Sequence, residues 1–170
     1  MNNLLSERIN SMQESATLKM AKISRELRSQ GHDVIDLSIG EPDFDTPQHI
    51  KDAAKKAIDD NFSYYTHVSG YVELREAICK KFKRDNNLDY TTDEIVVSTG
   101  AKQSIANAVL CLVNDGDEVI VPAPYWVSYL EILKLAGGKP VIVNTSIESD
   151  YKISPDQLKA SITNKTKLIM

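Results

Sequence analysis

The spacing of apolar residues changes period repeatedly along the chain, and each change marks an element. Residues 1–14 are polar with no clear period and read as an arm; Ala16, Met20, Ile23 and Leu27 then recur at helical spacing until Gly31 stops the run, which predicts a first helix over about 16–30. Val34-Ile35-Asp36-Leu37-Ser38-Ile39 is a short β-prone run that ends in the Gly- and Pro-rich loop Gly40–Pro47. Thr46 can cap the next helix with Pro47 at its first position, and Ile50, Ala53, Ala54, Ala57 and Ile58 form the stripe expected to be buried. Tyr64–Gly70 holds aromatic and turn residues without a sustained period, after which Leu74, Ala77, Ile78 and Phe82 mark an amphipathic helix through about Lys83.

From residue 95 onward the pattern becomes regular. A β-branched strand near 95–98 runs into a helix near 101–113, whose Ser104–Val113 stretch carries no charge and so reads as central and buried. Asn114-Asp115-Gly116-Asp117 turns the chain into the strand Glu118–Pro122, and Val127–Ala136 is a helix closed by Gly137-Gly138. Pro140–Val143 is the next strand; Ser154-Pro155-Asp156-Gln157 is a capping box with proline at the first helical position, opening a helix that carries Leu158 and Ile162 towards a last strand at 167–170. This alternation predicts an α/β domain, with four strands in a largely parallel sheet, helices on both faces and right-handed crossovers. Ligands of such sheets sit outside the carboxyl ends of the strands, so Thr99–Lys102 and Pro122–Trp126 are the candidate loops, expected on one rim.

Composition excludes several classes. A chain of 170 residues suffices for one domain with a sizeable core, burying about 70% of its unfolded surface. A net charge of −4 with scattered lysines argues against a nucleic-acid or anionic-membrane partner. No apolar run approaches a membrane span and the amino terminus lacks a signal-peptide core, so a cytoplasmic location is expected. Cys79 and Cys111 lie in predicted helices without metal-ligand spacing and are expected to be reduced core thiols. Lys165–Met170 stops in a young apolar strand, from which a fragment of a longer protein is expected.

The chemistry concentrates around Ile95–Gln103. Gly100 and Ala101 leave little side chain above the first helical turn, so backbone N–H groups there can meet a phosphate, and Ser98, Thr99, Lys102 and Ser104 add hydroxyls and a positive charge. The same stretch also fits a strand turning into a core helix with no ligand. G-x-G-x-x-G and G-x-x-x-x-G-K-[ST] are both absent, which leaves phosphate ligands outside the dinucleotide and nucleoside-triphosphate classes. Trp126, the only tryptophan, suits either a flat ligand stacked on the indole or a core or interface position. Tyr65 could reach a phosphate oxygen or merely cover surface. Glu41, Asp43 and Asp45 read as loop and cap residues, because His49 and His67 have no ligand spacing with them, and no metal site is expected. Lys102, at a helix start, suits charge contact with an anion better than imine chemistry.

Taken in order, Ser38-x-Gly40-Glu41-Pro42-Asp43-Phe44-Asp45-Thr46-Pro47, Tyr65-Thr66-x-x-x-Gly70-x-x-x-Leu74-Arg75, Gly100-Ala101-Lys102-Gln103, Gly116-Asp117-Glu118-Val119 and Pro124-Tyr125-Trp126-x-x-Tyr129 resemble the motifs of class I aminotransferases, most closely those of the bacterial aspartate aminotransferase group. The resemblance runs over essentially the whole chain and implies a fold type I enzyme using pyridoxal 5'-phosphate. It implies that Gly100, Ala101 and Lys102 hold the cofactor phosphate, that Trp126 stacks on the pyridine ring beside the substrate, and that Gly40 touches substrate through its backbone. It further implies that Tyr65 serves the cofactor phosphate of a neighbouring subunit in a homodimer. Residues 1–45 would be the arm, helix and substrate loop of the small-domain and dimer segment; residues 46–170 would be the first part of the cofactor-binding large domain. The Schiff-base lysine, the aspartate facing the ring nitrogen and the arginine for the substrate carboxylate would lie past residue 170, leaving no catalytic residue in this chain. The implied reaction moves the amino group of L-aspartate to 2-oxoglutarate. Aromatic, alanine or prephenate aminotransferases are the alternatives within the family, and a non-catalytic dimerisation or phosphate-binding module is the alternative outside it.

Overall fold

The computed structural model describes residues 4–170, so the first three residues of the expected arm lie outside the described residues. In chain order the helices are α1 (Glu7–Asn10), α2 (Ala16–Ser29), α3 (Gln48–Asp59), α4 (Val72–Asn86), α5 (Ala101–Leu112), α6 (Ser128–Ala136) and α7 (Pro155–Ser161), and the strands are β1 (Glu118–Ala123), β2 (Lys139–Asn144) and β3 (Thr166–Ile169). The chain divides into two compact units, one of Met1–Gly40 with Ile105–Met170 and one of Glu41–Ser104.

In the first unit the strands form a parallel sheet in the order β2-β1-β3. Its centre is β1, where Val119, Ile120 and Val121 are each 0% exposed. Side chains alternate along a strand, so consecutive buried residues mean that β1 is covered on both faces, the normal state of a strand in a parallel sheet. Val119 and Val121 pack with Val109 and Val113 from the end of α5 and with Ile132 and Leu133 of α6, and Leu168 of β3 and Met170 just past it close the cluster. The expected α/β class is therefore the observed one.

Local chemistry explains the connections. The Asp117 carboxylate accepts the Asn114 N–H at 2.8 Å and the Gly137 carbonyl accepts the Gly116 N–H at 2.9 Å, which fixes the turn into β1. α6 ends on Gly137 in the left-handed region at φ +80°, where a Cβ would stand 2.7 Å from Asp115 Oδ1. A Cβ on the next residue, Gly138, would stand 2.7 Å from Val113 Cγ1, so the pair of glycines lets α6 close onto the core. The capping box of α7 forms as expected. Ser154 Oγ accepts the Gln157 N–H at 3.1 Å, Gln157 Oε1 accepts the Ser154 N–H at 3.0 Å, and Gln157 Nε2 donates to the Asn144 carbonyl at the end of β2.

The sheet has three strands where four were expected. Residues 95–98 are extended without a ladder: the Ile95 N–H donates to the Thr92 carbonyl at 3.3 Å and the Val97 N–H to the Ser69 carbonyl at 3.1 Å, so these donors are spent on a turn and a loop. The run at 34–39 is likewise not a strand. The Asp36 carboxylate accepts both the N–H and the hydroxyl of Ser38, and Arg28 donates to the Val34 carbonyl, so side chains occupy groups a ladder would need.

Burial also departs from the helical patterns. α2 buries Ala21 and Ser24, while Met20, Ile23 and Leu27 stay exposed. On α3, which begins at Gln48 with no side-chain cap from Thr46, Ile50 and Ile58 are exposed. α5 is buried only along the face of Val109; Leu110, Cys111 and Leu112 are exposed, and Cys79 on α4 is half-buried, so neither cysteine is a core thiol. Both thiols are free. The common reason is that an apolar stripe states which face wants cover, whereas burial needs a second layer on that face.

These differences set a contrast in the 170-residue chain. Leu133→Ala empties a wholly buried site and should cost about 2–5 kcal/mol, whereas Leu110→Ala on the open face of α5 should change stability by less than about 0.5 kcal/mol. Urea unfolding of the two variants checks this, and equal losses would show that α5 is covered on both sides.

Candidate functional site

At the head of α5 the chain makes a tight turn. Gly100 sits in the left-handed region at φ +87°, its N–H donates to the Ser98 carbonyl at 2.8 Å, and its carbonyl accepts from Gln103 at 3.1 Å and Ser104 at 3.3 Å. The Ser104 bond is the first of the α-helical series. The N–H groups of Ala101 and Lys102 therefore precede it, at the positively polarised end of a helix of 12 residues. The Thr99 N–H donates to Gln103 Oε1, which ties the turn to the first helical turn. A Cβ placed on Gly100 would meet nothing within 4 Å, so the space above the turn is open while the backbone conformation favours glycine. Open space and a polarised helix start fit a phosphate group, and Ser98, Thr99, Lys102 and Ser104 lie on the same stretch of chain.

In the other unit Trp126 follows the carboxyl end of β1. That end is tied down by Thr145, whose N–H and hydroxyl both donate to the Ala123 carbonyl, at 3.0 and 2.6 Å, and the Ala123–Pro124 peptide bond is cis. The Tyr129 N–H donates to the Trp126 carbonyl at 2.9 Å, and the two rings meet edge to face at 5.6 Å and 86°. Tyr129 packs against the core, so it fixes the plane of an indole that is 40% exposed. Sequence reasoning did not give Tyr129 this role; its signal was an aromatic three residues past Trp126, in the first turn of α6.

Gly40 is exposed and follows the Asp36–Ser38 turn. Hydrogen bonds from the Ser38 hydroxyl and N–H hold the Asp36 carboxyl below its ordinary range against the effect of burial, with Arg28 and Ser24 helping. Tyr65 lies in the same unit as the turn at 100–102, with its side chain fully exposed. It lines an open cleft of about 340 Å³ with Asp60, Asn61, Phe62, Tyr64 and Tyr71, in which Phe62 and Tyr71 meet edge to face. Thus Tyr65, Gly100, Ala101 and Lys102 fall in one unit, and Gly40 and Trp126 in the other. Because residues 95–98 form no strand, only the loop at 124–126 leaves the end of a sheet strand, and the expectation of two strand-end loops is corrected accordingly.

The parallel sheet with helices packed on it makes this an α/β domain. The chain belongs to the aminotransferase class I and II family, whose sequence pattern matches residues 32–170; its members are pyridoxal-phosphate-dependent transferases. It is 51% identical over 168 residues to a probable aspartate/prephenate aminotransferase of Rickettsia felis, covering 99% of this chain and 41% of that protein. It is 48% identical over 166 residues to the aspartate aminotransferase of Bacillus subtilis, covering 98% of this chain and 42% of that one. Among solved structures it matches the aspartate aminotransferase of Thermus thermophilus with maleate at a TM-score of 0.93 and 43% identity, covering 99% of this chain and 44% of that chain. The chain thus spans about two-fifths of the length of these relatives. Among the described residues no helix is long and apolar enough to cross a membrane.

A carboxylate on α6 meets the arm before α2. Glu131 on α6 accepts the Gln13 N–H at 3.0 Å and a hydrogen bond from Lys134 at 2.7 Å. Burial alone would raise its pKa, but the bonds from Lys134 and Gln13 outweigh burial and the net shift is downward. A lowered carboxyl stabilises the docked arm above the unfolded value near 4.3, and that contribution disappears as pH falls through the lower folded value. Protection of the Gln13 amide in hydrogen exchange, corrected for the intrinsic rate, should accordingly fall as pH drops below the ordinary glutamate range. In Glu131→Gln it should be weak already at pH 7, and unchanged protection in that variant would show that another contact holds the arm.

Proposed function

We propose that this chain is the amino-terminal part of an aspartate aminotransferase that moves the amino group of L-aspartate to 2-oxoglutarate, acting as a cytoplasmic homodimer. The observation that carries this reading is the turn at Gly100–Lys102 at the head of α5, standing in a chain 48–51% identical to aspartate and aspartate/prephenate aminotransferases. Residues 1–45 serve as the arm, helix and substrate loop of the small-domain and dimer segment, and residues 46–170 as the first part of the cofactor-binding domain. Prephenate is a second amino acceptor to test, because the name of the Rickettsia felis relative includes it.

In this reading Ala101 and Lys102 donate backbone N–H groups to the cofactor phosphate, with Gly100 keeping the approach clear and the Lys102 ammonium balancing charge. Trp126, its plane set by Tyr129, offers an indole face to the cofactor ring and borders the substrate, and Gly40 presents its backbone to substrate. Tyr65 gives its hydroxyl to the phosphate of the other subunit; its complete exposure within its own chain supports that assignment. Bound pyridoxal phosphate supplies an electron sink for charge at the substrate α-carbon. The residues of this chain bind and orient, and proton transfer falls to residues beyond it.

Two outcomes are expected. Protein expressed from the longer reading frame transfers the amino group from L-aspartate to 2-oxoglutarate, whereas the pure 170-residue chain does not exceed the rate of free cofactor; a longer protein inert towards aspartate would overturn the assignment. Loss of the Tyr65 hydroxyl should cost about 1.5–3 kcal/mol, or one to two powers of ten in cofactor affinity, without unfolding the protein. Hybrids of full-length Tyr65→Phe subunits with subunits lacking the Schiff-base lysine distinguish the arrangements. In a crossed dimer one site carries both defects and the other neither, so near-normal activity returns; hybrids with one defect in each site would place Tyr65 within its own subunit.

A further inference from the structure

Within the second unit two segments remote in sequence are fastened together by contacts that the assigned roles leave unused. The Ser69 carbonyl accepts the Val97 N–H at 3.1 Å. Beside it Gly70 sits at φ +95°, and a Cβ there would stand 2.9 Å from Val97 Cβ and 3.0 Å from Val97 Cγ2. Five residues on, Arg75 is buried, 8% exposed, and one of its terminal NH2 groups donates to the Thr92 carbonyl at 2.9 Å. The Nε of Arg75 is buried with no hydrogen-bond partner among the described residues. Burying a guanidinium with one donor unmet is unfavourable, so its fixed position calls for a reason beyond solvation.

The target of Arg75 is a small rigid body. Thr91 and Glu94 close a capping box around the 3-10 turn Thr92–Glu94, with the Thr91 N–H on Glu94 Oε2 at 2.9 Å, and the Thr92 carbonyl also accepts the Ile95 N–H. Ile95 is buried and starts the extended run that reaches Gly100 with no ladder to align it. On the other side the Gly70 N–H donates to the His67 carbonyl at 2.8 Å and the Ser69 N–H to His67 Nδ1 at 3.2 Å, which fixes the turn following Tyr65.

We propose that Arg75 and Gly70 are positioning residues, which latch residues 69–75 onto residues 92–97 and thereby aim the N–H groups of Ala101 and Lys102. The proposal rests on the reading of that turn as the phosphate site. A ladder would align residues 95–98 along their whole length; here the Ser69 and Thr92 carbonyls and the close fit of Gly70 against Val97 do so at points. Gly70 is glycine because both its backbone conformation and its distance from Val97 exclude a side chain. The one latch also joins the segment carrying Tyr65 to the segment carrying the turn.

The test compares binding of pyridoxal 5'-phosphate and of pyridoxal, which lacks the phosphate, to the full-length apoprotein. In Arg75→Met and in Gly70→Ala the affinity for pyridoxal 5'-phosphate should fall about tenfold or more while that for pyridoxal changes less than about twofold, and Arg75→Lys, which keeps a donor for the Thr92 carbonyl, should recover part of the loss. A merely structural role would weaken both ligands together. Equal weakening of both, or no weakening of either, in folded Arg75→Lys and Gly70→Ala would overturn the latch, while Lys102→Met still lowered the preference for the phosphorylated ligand. Should Arg75→Met not fold, those two variants decide alone. If the wild-type protein itself does not prefer the phosphorylated ligand, the latch falls together with the phosphate site, and that result is distinct from failure of the latch alone.

Discussion

Strand β1 is hydrogen-bonded on both edges and buried on both faces, and the first unit takes its order from that burial. Val119 and Val121 meet the end of α5 and the length of α6 on one side, Ile120 is enclosed on the other, and the register with β2 runs unbroken from Glu118 opposite Lys139 to Ala123 opposite Asn144. A strand held this way cannot slip, since a shift of one residue would turn its side chains to the wrong faces. Its fixed end delivers Pro124, Tyr125 and Trp126 at a defined point, and the two bonds from Thr145 to the Ala123 carbonyl hold that end. The exposed indole therefore inherits its position from a strand whose three central residues are buried.

The second unit is organised differently. Its decisive backbone groups are satisfied by turns and side chains: Val97 by Ser69, Thr92 by Arg75, Thr91 by Glu94. Point contacts can place a turn accurately only where close fit excludes alternatives, which is what Gly70 against Val97 provides. In the proposed function this unit supplies the phosphate turn and Tyr65, and the sheet-bearing unit supplies Trp126 and Gly40. In that proposal each group is borne by the kind of scaffold its role needs, an aromatic face on a core-anchored strand end and an anion cradle on a helix start.

Much of this was legible in the sequence because local rules had little competition there. The Ser154–Gln157 capping box, the Gly137-Gly138 stop, the turn at 114–117 and the helix start at Gly100 each depend on residues within a few positions, and each formed as expected. What failed depends on distant partners. Residues 34–39 have strand propensity, but Asp36 and Arg28 took the backbone groups a ladder would use; residues 95–98 have it too, but Ser69 was the partner they met. The apolar stripes of α3 and α5 are real, yet Ile50, Ile58, Leu110 and Leu112 face water, because periodicity names a face and cannot supply the layer that covers it. In the proposed full-length dimer such faces would be where further layers lie. The latch through Arg75 was invisible because a basic residue in an amphipathic helix reads as solvated, and only its burial reveals otherwise.

Whether the head of α5 is the anion cradle of an aminotransferase is decided most directly by the position of the phosphate in a crystal structure of the full-length protein with pyridoxal 5'-phosphate. Phosphate oxygens are expected within about 3 Å of the backbone N–H groups of Ala101 and Lys102, above Gly100. A phosphate bound elsewhere, with the turn at 100–102 making no contact to it, would contradict the account.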